Sequence, residues 1–468
     1  MPARPQERFR TRLRRRSNTS VPDYQRMIRV NLNARARYLA GGLATVLLTT
    51  ATYGTAAPPA SDTSTPPSPS LAEWRQIGGG SGYSFHIDGT IRLPLTSGIY
   101  PLERVPYAPV LVAGGDTLYV VTPARVAAYA ATDRPPAVTY YHSKWQRFFG
   151  SGRDGALPGG LPHKVVASER GVFANFGGNL IDRSVRAVGL AADDGELFYR
   201  GSEDVGPWGG SGVVGTQEGL ILFGSTIARD HAVVAYDPTA KQVRWRMPGE
   251  PGYHFGEIGG PSGWLFRQNG GIISSYDPVA RRERSYRWTV WASPVKAAVG
   301  RMYITDHTTR HRVVFALDER GKEIWRWKLP HRGTCAVRVV TADYVITEGA
   351  GYLFALGGRD GRLQWKKRIR VHPRLPEEVS YAPGHPFALS WHSCIGVGST
   401  LFVTSSSPGK DYVDTINALD VRTGRKLWSE SFRYSLGPVI PHQGALHCLA
   451  NSLDGFSSAW IRLEPSSR

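Results

Sequence analysis

Residues 315–325 read FALDERGKEIW, residues 354–365 read FALGGRDGRLQW and residues 417–428 read NALDVRTGRKLW. Each is a short apolar run, a turn built on Asp and Gly, and a return run that reaches a tryptophan. Asp318 and Asp420 start their turns by accepting from backbone amides just downstream, and a glycine such as Gly424 supplies the positive φ. The three segments are β-hairpins that place Trp325, Trp365 and Trp428 at one offset. VVAYDPTAKQVRW, ending at Trp245, is a fourth copy, and weaker versions end at Tyr286 and Tyr199. A large aromatic at a fixed offset suits a wedge between neighbouring sheets.

Working outward, each hairpin follows another: a short run, a turn, and a strand with a large residue near its centre. Eight such centres occur, at Tyr119, Phe173, Ile221, Leu265, Tyr303, Val345, Phe402 and His447. They are separated by 54, 48, 44, 38, 42, 57 and 45 residues. Four strands per unit of about 40–45 residues, repeated radially, describe an all-β propeller. The count predicts eight blades, with seven as the alternative. The last unit reaches the end of the chain one strand short. The stretch 72–77, with Trp74, is expected to supply that strand, so that the N-terminal part of residues 71–468 completes the last blade. Such closure leaves only short, protected edges.

The composition agrees. The chain has 468 residues, 41% apolar and 20% charged, with 53 Gly, 33 Pro and only 4 Met. It is too apolar for global disorder and rich in turn formers. Three cysteines exclude a disulfide framework and a four-thiolate metal site. The net charge is +19, but residues 1–40 hold eleven Arg against two acidic residues. The other 428 residues carry +10, spread along the sequence, which favours anionic contacts without marking a nucleic-acid binder.

The N-terminus reads as an address. Residues 1–37 are a basic leader, and Met27 offers an alternative start that would leave 1–26 untranslated or cytoplasmic. Residues 38–57 (YLAGGLATVLLTTATYGTAA) have the layout of a signal-peptide core followed by small residues, or of a single membrane anchor. Arg15-Arg16 lie too far from the apolar run for a twin-arginine signal. Residues 58–70 (PPASDTSTPPSPS) form a Pro/Ser/Thr linker. An extracytoplasmic location is expected, secreted or anchored by this apolar segment.

The motif Ala316-Leu317-Asp318, Gly321-Lys322, Trp325, repeated as Ala418-Leu419-Asp420, Gly424-Arg425, Trp428, resembles the pyrroloquinoline-quinone (PQQ)-like propeller repeat. The resemblance covers about 72–463 and is strongest in blades five to seven. It implies a family of quinoprotein dehydrogenases, an outer-membrane assembly scaffold and extracellular sensor domains. In the dehydrogenases an adjacent cysteine pair and a Trp floor hold the quinone, with calcium on Glu, Asn and Asp. No Cys-Cys dipeptide stands in this chain, since Cys335, Cys394 and Cys448 fall in three different units. The resemblance therefore points to the non-enzymatic branch. No cofactor is expected, with PQQ and calcium reserved for the alternative reading.

No Gly-x-Ser-x-Gly elbow, phosphate loop or His-Glu-x-x-His motif occurs. No catalytic or metal residue is assigned. His307 and His311, with Asp306, stand in a connection where spacing of four does not impose a ligand geometry. Cys335 and Cys394 occupy matching positions on innermost strands, where they either face each other or serve as small buried apolar residues. Three long segments, 133–160, 366–392 and 405–414, are read as connections on one face, where repeat proteins bind. On them the candidate binding residues are Trp145, Phe148, Phe149, Lys366, Lys367, Arg368 and Arg370, against the plainer readings of a packed aromatic lid and a solvated charge run. The expected role is a monomeric binding or scaffold module for a protein or an extracellular polymer. The rival is a degenerate quinoprotein oxidoreductase using the central channel, and a sensor domain is a third reading.

Overall fold

The computed structural model describes residues 86–466 apart from 103–109, 123–124, 131–143, 149–160, 178–185, 201–210, 218–219, 226–231, 249–253, 258–263, 270–271, 278–281, 288–294, 307–311, 331–334, 370–393, 408–412 and 453–457. The leader, the apolar segment 38–57, the linker and Trp74 lie outside these residues. No helix among the described residues is long and apolar enough to cross a membrane.

Every described element is a strand, and the strands form eight sheets among the described residues. Each has four antiparallel strands, joined as a meander in the first seven and as a three-strand meander plus one strand from early in the chain in the eighth, with His86–Ile87 added in parallel to the seventh. The fifth sheet is representative. Lys296–Ala298 pairs with Arg301–Asp306, which pairs with Val313–Asp318, which pairs with Glu323–Lys328. All eight repeat centres fall on the second strand of a sheet, and all eight are buried. The first strand of each sheet packs beside the first strand of the next, and Tyr434–His442 of the eighth packs beside Val110–Gly114 of the first. This is a β-propeller.

Alternation explains the layering. Inner strands such as Val110–Gly114 and Thr117–Thr122 are buried on both faces, while fourth strands such as Glu323–Lys328 alternate between packed and exposed residues. The apolar core accordingly lies between sheets. Val112 and Tyr119 of the first sheet pack against Val165 and Val172 of the second. Tyr303 and Trp325 of the fifth pack against Val337 and Phe354 of the sixth.

The tryptophans are the wedges between sheets. Trp325 donates its indole N–H to the Gly358 carbonyl of the sixth sheet at 3.0 Å. Its ring lies where a Cβ on Gly361 would stand, 2.6 Å from Cε3. Trp365 repeats the arrangement one sheet on, donating to the Val421 carbonyl at 2.9 Å and covering Gly424. Gly424 also has φ +67°, so its missing side chain serves both the turn and the wedge. The Asp turns form as expected. Asp318 Oδ1 accepts from the amides of Arg320 and Lys322 at 2.9 and 2.7 Å, and Asp420 Oδ1 from Thr423 at 2.7 Å.

Two expectations are corrected. The missing strand of the eighth sheet comes from Leu95–Leu102, not from 72–77: it pairs along its length with Ser458–Pro465, from Leu95↔Pro465 to Leu102↔Ser458. Pro101 sits there without penalty because an outermost strand has no partner on its far side. Second, Trp145 and Phe148 are not in a connection. They begin and end Trp145–Phe148, the fourth strand of the first sheet. Trp145 pairs with Ala128, as Trp245 pairs with Ala235, Trp325 with Ala316, Trp365 with Ala355 and Trp428 with Ala418. By register it is a further copy of the repeat tryptophan.

Candidate binding surface

The second correction changes where a binding surface lies. Neighbouring strands are antiparallel, so the link between third and fourth strands emerges at the end opposite to the link between second and third. Because Trp145–Phe148 is a fourth strand, residues 133–160 are not one connection: they divide into a link between the third and fourth strands and a link to the next sheet, which leave the first sheet at opposite ends. The seven candidates are not gathered either. Lys366, Lys367 and Arg368 belong to Leu363–Arg368, the fourth strand of the sixth sheet, which is not a neighbour of the first. Phe149 and Arg370, like His307 and His311, lie outside the described residues.

Within Leu363–Arg368 the basic residues have different tasks. Lys367 is half-buried and donates to the Gly424 carbonyl at 2.8 Å, beside the Trp365 wedge. Burial, and then the charge of Lys426, push its pKa down. It is a seam residue. Lys366 and Arg368 point the other way, to solvent, with the Lys366 ammonium 5.8 Å from the centre of the Tyr352 ring.

The sequence reading missed where the charge collects. The eight fourth strands carry thirteen Lys or Arg against three acidic residues. The inner three layers are close to neutral, because scattered bases are balanced by Asp237, Asp277, Asp318, Asp414 and Asp420 at or near strand ends. The charge that is dispersed along the sequence is thus gathered on the circumference. Every net-positive fourth strand belongs to sheets one to six; those of sheets seven and eight are neutral. The signal lay in the repeat itself, since the run entering or following each aromatic is basic: VRWR, IWRWK, QWKKR. Six of the seven exposed large apolar residues among those described, Ile99, Leu197, Val243, Ile324, Leu363 and Leu427, lie on the same strands.

Two buried polar groups mark the interior. Lys296, on the first strand of the fifth sheet, is 3% exposed; burial, then the charge of Arg338, push its pKa well down. Arg338 Nε pairs with Glu348 Oε2 at 2.7 Å on the sixth sheet. In the eighth sheet, His442 and His447 are fully buried with ring centres 6.1 Å apart, and His447 Nδ1 accepts from Trp460 Nε1 at 3.2 Å. Burial holds both imidazoles down, to about 4 and about 3 respectively.

All three cysteines are free and buried, in the sixth, seventh and eighth sheets. Cys335 and Cys394 do stand on first strands, and burial pushes both thiols up to about 12. The three thiols stand in separate sheets, and no group of three or more His, Cys, Asp or Glu stands close enough to hold a metal among the described residues.

The repeat geometry defines a class, the β-propeller. Residues 229–435 match the family model described as outer membrane protein assembly factor BamB. No curated protein matches the chain. Among solved structures it is similar to a europium-containing methanol dehydrogenase, with TM-score 0.45 and 11% identity over 84% of this chain and 98% of that one. It is also similar to the dihydro-heme d1 dehydrogenase NirN in complex with DHE, with TM-score 0.44 and 12% identity over 68% of this chain and 64% of that one. The match to that repeat model spans residues 229–435, the stretch that holds Trp245, Trp325, Trp365 and Trp428.

Proposed function

We propose that the protein is an exported or membrane-tethered, monomeric, eight-bladed propeller of the non-enzymatic PQQ-like branch, acting as a binding or scaffold module. Its partner is a protein or an extracellular polymer. The observation that carries this reading is the use made of the characteristic residues. Trp325, Trp365, Gly361, Gly424 and Lys367 are spent on the seams between sheets, and the three thiols are buried singly. What remains for recognition is the charged circumference. The eight sheets and the contact between the first strands of the eighth and the first support a single closed wheel. The basic leader and apolar segment support export.

The test is reconstitution. The purified protein is mixed with PQQ and calcium and followed by absorbance, thermal shift and dye-linked dehydrogenase activity, beside affinity capture from the producing cell's envelope. Capture without quinone binding is the expected outcome; a quinone spectrum with turnover would establish the oxidoreductase instead.

A further inference from the structure

We infer that the outer strands of sheets one to six form a continuous binding track for a flexible, phosphate-bearing linear polyanion. The inference rests on the binding-module reading and names its surface and its partner. Three observations carry it. The fold segregates charge by layer, so that the fourth strands hold an excess of ten positive charges while the inner layers nearly cancel. A solvated surface that merely needed solubility would not require all of it in one layer.

Nine of the thirteen bases are Arg. The guanidinium fork matches phosphate oxygens in pairs and is weakly hydrated, whereas Lys suffices for diffuse attraction. Within the protein Arg147 donates to the Gly195 carbonyl at 2.9 Å, Lys367 to that of Gly424 at 2.8 Å, and Arg244 and Arg326 pair with Asp237 and Glu323 at 2.7 and 2.6 Å. The side chains of Arg244, Arg246, Arg326, Lys328, Lys366 and Arg368 are all exposed, so their outer edges are open to a ligand. Val243, Ile324 and Leu363 stand among them, exposed by 45, 40 and 45%. A charged group flanked by aliphatic surface suits a polymer whose anionic groups alternate with less polar backbone.

The third observation is shape. The positive strands belong to six consecutive sheets of a wheel. A flat anionic bilayer meets a curved circumference along a short arc and leaves most of that charge unused. A flexible chain follows the curve, and each phosphate it places on a base releases counterions.

The experiment uses the full chain and long-chain inorganic polyphosphate, with inorganic phosphate and phosphatidylglycerol vesicles as comparison probes. The rim variant R246Q/K328Q/K366Q/R368Q is set against K322Q/R359Q/R422Q/R425Q, which removes equal charge from exposed turns. Polyphosphate should bind the parent far more tightly than inorganic phosphate does. The rim variant should lose about tenfold or more in affinity, and its log K against log salt should flatten by about 2–3, near 0.7 for each contact removed. The turn variant should stay within about threefold. Equal losses in both variants, or none in either, overturn the track. Rim-dependent binding to vesicles without binding to polyphosphate replaces the polymer with a membrane. Failure on polyphosphate with capture of a partner through another surface ends this inference and leaves the binding module standing; quinone turnover ends the module itself. Circular dichroism confirms that each variant folds.

Discussion

The indole of Trp365 donates to the carbonyl of Val421 at 2.9 Å while its ring fills the place that a side chain on Gly424 would take. One contact thus joins the fourth strand of the sixth sheet to the turn of the seventh. A Cβ at Gly424 would stand 2.8 Å from the ring, at a φ of +67°. Gly424→Ala should therefore cost about 1–3 kcal/mol from overpacking and backbone strain, and Trp365→Ala about 3–5 kcal/mol from the cavity. Because the two residues share the contact, the double variant should lose clearly less than the sum, read by urea unfolding. Additive losses would mean that the wedge does not couple the sheets.

The imidazoles of His442 and His447 give the eighth sheet an acid limit. Their folded pKa values, about 4 and about 3, lie below the ordinary 6.5. Between those values and 6.5 the unfolded chain binds more protons than the folded one. Their stabilising contribution is thus complete above about pH 6.5 and is lost as pH falls toward 4. Asp116 opposes the shift at His442 and Arg462 adds to it at both rings. The melting temperature of the parent should drop over this window, and that of H442N/H447Q should drop distinctly less. Parallel pH profiles would contradict this.

Glu348 is the carboxylate among two bases. It pairs with Arg338 at 2.7 Å, and Arg338 in turn depresses the fully buried Lys296. Glu348→Gln removes the carboxylate that pairs with Arg338 and should destabilise by about 3 kcal/mol. Lys296→Met in that background replaces the buried amine, whose charge would repel Arg338, by an apolar side chain of similar volume and should recover part of the loss. Chemical denaturation of the three proteins checks the order; a double variant weaker than E348Q alone would contradict it.

The strand Leu95–Leu102 makes a further prediction. A chain starting at residue 86 keeps this strand and its eight pairs with Ser458–Pro465. It should unfold with the cooperativity of the parent. Starting at residue 103 should expose the edge of Ser458–Pro465 and part of its apolar surface, giving a lower melting temperature and aggregation. Similar melting of the two truncations would remove this strand from the role assigned to it.

The sequence by itself determined the local grammar. The Asp–Gly turns, the two-residue alternation and the repeated aromatic depend on neighbours within about a dozen positions, and they place all eight second strands and the fourth strands that carry Trp245, Trp325, Trp365 and Trp428 where the structure has them. What required tertiary structure was every choice between equivalent local signals. The stretches 72–77 and Leu95–Leu102 both offer a short strand with an aromatic, and only pairing across more than 350 residues selects between them. Trp145 read as part of an aromatic recognition loop because its hairpin has a long, atypical connection; its partner Ala128 shows it to be a repeat residue. Lys367 and Lys366 are adjacent in sequence, yet the pleat sends one into a seam and the other to solvent. The positive charge, dilute along the chain, became a belt because a propeller stacks every fourth strand on one circumference, a distance relation that no local window contains.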